Sequence, residues 1–390
     1  MSDPNLDRAL ELVTQLMAIP GKSGEEAQVA KFIIDKLTAA GAPADAIGFD
    51  DANTRTTLKG QTGNLILQLP GTQRKPRRML SAHMDTVPIC VGTKPRREGD
   101  FLRSANPKTG LGADDRAGCA VVLAAALDIL EQQLPHPPLT FCWFIQEEIG
   151  LHGARHLDVK KLGKPKLAFN FDGGAPNKLT IGATGGYRMQ IVVSGIASHA
   201  GVAPELGVSA ISIAALAIAD LQRDGWLGLV EKGRQRGTSN VGYIHGGEAT
   251  NVVTDRVELK AEARSHNPKF REKIQAEIEK AFTRAAKELQ NGLGQRGSVQ
   301  FTGRLDYEAY KLEDDAPSVA TAEKAVEAVG LKPLKAISNG GLDTNWLFLH
   351  GIPAVTLGCG QVNAHMVTEA LDIPAFQNAI KIGLKLATGE

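Results

Sequence analysis

Cysteine is scarce in this 390-residue chain: Cys90, Cys119, Cys142 and Cys359 are widely separated and stand mostly among apolar neighbours. No C-x-x-C pair occurs, so neither a disulfide framework nor a thiolate zinc site is indicated, and the four read as reduced core thiols. Net charge is nearly absent too. Lys and Arg total 44 against 43 Asp and Glu, which removes any global pull toward nucleic acid or an anionic membrane. Long apolar runs are missing: none reaches the roughly 18 residues that a membrane span needs, and the start MSDPNLDRALELVTQLM lacks the basic head and unbroken apolar stretch of an export signal. Repeats and low-complexity tracts are missing as well. A cytoplasmic globular protein is expected, long enough for two domains and, at 43% hydrophobic, able to fill a sizeable core. The basic run RKPRR (74–78) reads as a solvated turn between strands.

Asp3 and Pro4 form a helix start, after which Leu6, Leu10, Val13 and Met17 recur at helical spacing. Ser23 with Glu26 makes a capping-box pattern and predicts a second helix with Val29, Phe32, Ile33 and Leu37 on one face. LILQL (65–69), RMLSAH (78–83), LTFCWFI (139–145), LAFNF (167–171) and PAVTLG (353–358) predict strands covered on both faces, and AGCAVVLAAALDIL (117–130) a buried helix. That alternation predicts an α/β domain with a mixed, mostly parallel sheet over 1–183 and 311–390. Between 184 and 310 the pattern changes to strand, helix, two strands, charged helix, strand. This is the βαββαβ order of an inserted ferredoxin-like α+β unit.

Acids and imidazoles gather at the carboxyl ends of the predicted strands. His83 and Asp85 end one, Glu147 and Glu148 the next, Asp172 a third, and His365 follows the strand at 353–358. That edge binds ligands in open α/β sheets. Asp114 and Asp115 precede the alanine-rich helix, whose N-terminus also favours negative charge. Each piece has an ordinary explanation: a hydrogen-bonded histidine, a helix cap, a solvated turn. Their conjunction at one edge points instead to a divalent cation, because imidazole with carboxylate suits zinc and its neighbours.

SAHMDTVP, GLGADDRAG, QEEIGLHGA, FNFDGG and NAHMVTE resemble, in order and spacing, the metal-site motifs of the M20 metallopeptidases, which have a zinc-exopeptidase-like catalytic domain. TSNVGYIHGGEATNVV, AEARSHN and NGGLDTNWL resemble the peptidase T and peptidase T-like branch, the tripeptide aminopeptidases. The resemblance spans almost the whole chain. It implies two zinc ions, with cobalt or manganese as substitutes, bridged by Asp114; His83 and Asp172 hold one, and Glu148 and His365 the other. It implies Glu147 as general base acting on a metal-bridging water, Asp85 as the carboxylate orienting His83, and a cis peptide between Asp114 and Asp115.

From the inserted unit it implies His199, in IASHAG, as donor to the tetrahedral oxyanion, Arg264 as partner of the substrate carboxylate, and Asn251 as a substrate-backbone contact. Gly340, Gly341, Asp343 and Asn345 shape the substrate floor or form a turn with a helix cap. The chain departs from many relatives in having Met366, rather than Thr or Ser, after His365. The expected function is a metallo-exopeptidase cleaving short peptides from the amino end, paired as a homodimer through a lid that closes about hinges near 183 and 311. A carboxypeptidase, an N-acyl-amino-acid deacylase and a noncatalytic metal- or peptide-binding protein stand as alternatives.

Overall fold

The computed structural model describes residues 4–389. Asp3, half of the expected helix start, lies outside the described residues. The first helix, Leu6–Ala18, is capped by Asn5, whose side chain accepts from the Arg8 N–H at 3.0 Å. The chain falls into two compact units. One comprises the residues up to Gly182, Lys311–Ser338 and those from Leu342 onward; the other comprises Ala183–Tyr310 with Asn339–Gly341.

The first unit is built on a nine-stranded sheet. At its centre Leu139–Phe144, Arg78–His83, Leu167–Phe171 and Ala354–Leu357 run parallel. Flanking them, Leu65–Leu69 pairs antiparallel with Leu139–Phe144, and Lys178–Ala183 antiparallel with Ala354–Leu357. The expected parallel sheet is thus its middle. Leu65–Leu69 is as apolar as the parallel strands because it too is buried, so its direction leaves no mark on its composition.

The alanine-rich helix runs Ala113–Gln132 and is buried along most of its length. Small residues let it lie close to the sheet: a Cβ at Gly118 would stand 2.2 Å from the Phe171 carbonyl oxygen. A second, four-stranded sheet, made of Gln361–Val362, Ala370–Asp372, Phe101–Ser104 and Pro95–Glu98, has no counterpart in the sequence expectations.

The second unit is an antiparallel sheet in the order Gly228–Lys232, Gln235–Gly246, Arg256–Ser265, Gly185–Ser194, Ser298–Tyr307. Helices Ala210–Arg223 and Pro268–Glu288 close its core through Ile213, Phe270, Ile274 and Phe282. Four of the strands follow the ferredoxin-like order, and Gly228–Lys232 is an extra edge strand turned back at Gly233, where φ is +63°. Its five residues are too few to show a period. Val252–Val253 pairs with Ser198–His199 in a separate two-stranded ribbon.

The chain crosses between the units along adjacent strands. Lys178–Ala183 and Tyr310–Lys311 are neighbours in the nine-stranded sheet, and Gly186 pairs with Tyr307 in the other. No helix among the described residues is long and apolar enough to cross a membrane.

Candidate metal centre

Parallel register brings the ends of the central strands level: His83 pairs with Phe144, Ser81 with Asn170 and Leu357 with Phe171. The residues that follow, Asp85, Glu147 with Glu148, and Asp172, leave the sheet at one edge.

Successive strand residues point to opposite faces, so two adjacent glutamates can serve one site only if the chain bends. Captured N–H groups hold the bend. Ile145 donates to Asn64 Oδ1 at 3.1 Å, Gln146 to Glu26 Oε1 at 3.1 Å, Glu147 to Asp85 Oδ1 at 2.9 Å and Glu148 to Asp85 Oδ2 at 3.2 Å. Between them Gln146 adopts φ +52°. Ser23 Oγ donates to Asp85 Oδ2 at 2.6 Å. The capping-box expectation for Ser23 and Glu26 is corrected here: helix Ala27–Ala39 has no side-chain cap. Glu26 folds onto the Gly24 N–H at 2.7 Å and onto Gln146, while Ser23 reaches Asp85. Buried acceptors from the tertiary fold outcompete the local motif.

Asp114 and Asp115 open the alanine-rich helix with non-helical dihedrals and a cis peptide bond between them. Asp115 is structural: it accepts from the His83 N–H at 3.1 Å, the Gly118 N–H at 3.0 Å and Gln361 Nε2 at 2.8 Å. Asp114 faces two imidazoles. His83 Nε2 lies 3.2 Å from its Oδ1, and His365 Nε2 lies 3.2 Å from its Oδ2 and 2.9 Å from Glu148 Oε2. His83 Nδ1 meets the Asp85 main-chain oxygen at 3.1 Å and its carboxylate at 3.5 Å. Asp85 therefore orients the ring chiefly through its carbonyl.

Among the described residues three overlapping groups result, in each of which one donor atom per residue lies within 4.8 Å of the others: His83, Asp114, Asp172; Asp114, Glu148, His365; and His83, Glu147, Glu148. The structure brings together every residue expected to bind metal, with Glu147 beside them. Asp114 Oδ1 is buried and, apart from His83 Nε2 at 3.2 Å, has no polar partner among the described residues. A buried carboxylate oxygen among imidazoles and carboxylates is the donor chemistry that a divalent transition cation takes.

Electrostatics agree. Burial raises Glu148 to about 7 despite its bond to His365, and burial with the charge of Asp114 raises Asp172 to about 6. Glu147 stands well above the carboxylate range, through burial first and then the charges of Asp343 and Glu148, with His83 opposing. Hydrogen bonds to Asp114 and Glu148 lift His365 to about 10. Burial opposes ionisation of Asp114 but is outweighed by His365 and His83, which hold it low. Acid outnumbers base here, a condition that bound cations relieve.

Glu26 gives a pH test. It is wholly buried, and burial, with the charge of Asp85 adding, raises its carboxyl from 4.5 to about 7. A raised acid favours the fold while protonated, so this contribution is present below 4.5 and is lost as pH rises through about 7. Glu26→Gln stays neutral. In chelator-treated thermal unfolding, its midpoint should gain on that of the parent from about pH 5 to about pH 8. A difference that stays constant over this range would show that Glu26 does not titrate there.

The remaining expected contacts sit as follows. In the second unit, His199 Nδ1 accepts from the N–H groups of Gly201 and Val202, each at 3.2 Å, which leaves Nε2 as the protonated nitrogen. Arg264 is held in a fork by Glu262, Nε to Oε1 at 2.9 Å and Nη2 to Oε2 at 3.0 Å. Asn251 is exposed, and its carbonyl accepts from the Ala200 N–H at 2.9 Å. A Cβ at Gly341 would lie 2.4 Å from the Tyr307 ring, so that glycine makes room for the tyrosine. In the first unit Asp343 is buried, neither carboxylate oxygen has a hydrogen-bond partner among the described residues, and burial raises it to about 8. Asn345 Oδ1 accepts from the Leu342 N–H at 2.9 Å and so starts helix Asp343–Leu349.

The model of peptidase family M20/M25/M40 matches residues 79–389. The chain belongs to that family. A Bacillus subtilis protein, YqjE, is 32% identical over 373 residues, covering 95% of this chain and 94% of that one. The solved structure of a Staphylococcus aureus tripeptidase superposes with a TM-score of 0.88 at 31% identity, covering 99% of each chain. That of aminopeptidase PepT from Bacillus cereus gives 0.84 at 32% identity, covering 99% of this chain and 98% of the other. These likenesses put this M20 chain in the peptidase T-like branch.

Asn64, Glu26 and Gln361 support the site without having been expected there. Asp115, second acid of the DDR triplet, stands where the sequence already draws attention.

Proposed function

We propose that this protein is a di-zinc aminopeptidase that releases the amino-terminal residue of short peptides. The observation that carries the reading is the position of Asp114, common to two donor groups drawn from five separated segments, with Glu147 alongside and outside both of them. His83, Asp114 and Asp172 would hold one cation, and Asp114, Glu148 and His365 the other. Such a pair supplies an acidified water and a polarised scissile carbonyl.

The rest falls to the side chains. Glu147, 12% exposed beside the donor groups, takes the proton of the attacking water and delivers it to the departing amine. Asp85 holds the main chain of Glu147 and Glu148, so that one carboxylate can ligate while its neighbour stays free. His199, with Nε2 protonated, donates to the developing oxyanion. Arg264 receives the substrate carboxylate in place of Glu262, since its fork suits either. Pairing of two copies through the second unit and residence in the cytoplasm belong to the same proposal. Exposed Ile211 and Leu216 on helix Ala210–Arg223 offer an apolar contact for the pairing.

The test is product analysis by mass spectrometry of a library of tripeptides and N-acyl amino acids incubated with zinc-loaded protein. Release of free amino-terminal residues from tripeptides is expected. Cleavage confined to acylated amino acids, or beginning at the carboxyl end, would replace the aminopeptidase reading; no cleavage at all would favour a binding protein.

A further inference from the structure

Ahead of the alanine-rich helix, the main chain around Asp114 offers N–H groups that the helix leaves unsatisfied. They are taken by a single residue distant in sequence. Glu369 is 2% exposed; its Oε2 accepts from the Leu111 N–H at 2.8 Å and the Gly112 N–H at 2.7 Å, and its Oε1 from the Asp114 N–H at 3.0 Å. The loop is shaped to admit it. A Cβ at Gly110 would lie 2.9 Å from Glu369 Oε2, and Gly112 has φ +79°.

Glu369 also belongs to the turn that carries His365. Its own N–H donates to the Met366 carbonyl oxygen at 3.0 Å. One carboxylate therefore ties together the two backbone segments whose side chains meet as His365 Nε2 and Asp114 Oδ2, 3.2 Å apart. An ordinary helix cap serves a neighbouring turn, whereas this one reaches across 255 positions and holds the segments of two of the three members of one donor group. Charge-assisted bonds to three N–H groups also leave it little freedom to shift.

We infer that Glu369 is a positioning residue: by fixing the Asp114 main chain against the His365 turn, it sets the spacing of the group Asp114, Glu148 and His365, and with it the affinity of that group for a cation. The inference rests on the two-cation reading above. Glu369 acts through the backbone N–H groups it holds, and its Oε2 also accepts from Cys90 Sγ at 3.4 Å.

The experiment uses the full chain, stripped of metal. Zinc is titrated by calorimetry and cobalt by visible absorption, for the parent and for Glu369→Gln. Glutamine keeps the volume and one acceptor oxygen but turns an amide nitrogen toward main-chain donors. The parent should take up two ions. In the variant one of the two should bind roughly 10 to 100-fold more weakly, the usual effect of losing an outer partner of a metal ligand. The cobalt band of that ion should change, and the melting temperature of the stripped protein should move little.

Parental affinities and spectra in the variant would overturn the inference. So would a lowered melting temperature with both affinities unchanged, since that describes a purely structural carboxylate. A parent that takes up fewer than two ions would sink the functional proposal itself, which is a different outcome. If Glu369→Gln does not fold, Glu369→Asp carries the test, keeping the charge with a shorter reach; unchanged affinity there overturns the inference equally.

Discussion

Glu147→Gln should lower peptide turnover by about 10²–10⁴-fold, the range for a lost general acid–base, and leave cation content at the level of the parent. Glutamine preserves size and hydrogen-bonding shape, so the Glu147 N–H keeps its bond to Asp85 and the bend is undisturbed. What disappears is the ability to accept a proton. The two donor groups that contain Asp114 do not include Glu147, so neither loses an oxygen. Turnover measured alongside metal content by mass spectrometry decides the matter. Simultaneous loss of metal and activity would mean that Glu147 is a ligand, acting in the group it forms with His83 and Glu148, and would move the proton-transfer role elsewhere.

Asp114→Ala should be the more severe change, because it removes a donor from two groups at once. The expected result is protein that retains neither ion after dialysis and has no detectable peptidase activity. His365→Ala removes a donor from one group only, so one ion should remain. Each loss should exceed the roughly 10 to 100-fold weakening expected of an outer partner. Metal content of the two variants, measured after identical dialysis, tests the hierarchy. Equal losses in both would mean that the ions bind as one cooperative unit and that Asp114 holds no special place.

The donor residues were legible because the chemistry restricts them to a few side-chain types, and because strand ends can be read from apolar runs. The positions of His83 and Asp172 at the sheet edge followed from the strands ending at positions 83 and 171, while their assignment to one shared cation came from the family resemblance. The supporting residues were not legible for a matching reason. Glu26, Asn64 and Glu369 act on main-chain N–H groups, which every residue but proline possesses and which leave no trace in composition. Ser23 and Glu26 went further and mimicked a helix cap. Of the fold, the long elements were readable and the short ones were not. Gly228–Lys232 and the four-stranded sheet depend on partners distant in the chain, and the antiparallel direction of Leu65–Leu69 is set by pairing rather than by its own residues.

The chain leaves its larger unit along Lys178–Ala183 and returns along the adjacent Tyr310–Lys311, while the first and last long strands of the smaller unit are themselves paired. These two crossings therefore lie side by side in the larger unit's sheet, and Asn339–Gly341 is a separate, three-residue excursion. Material between the two crossings can be lengthened, pruned or traded for another cassette without re-registering a strand of the host sheet.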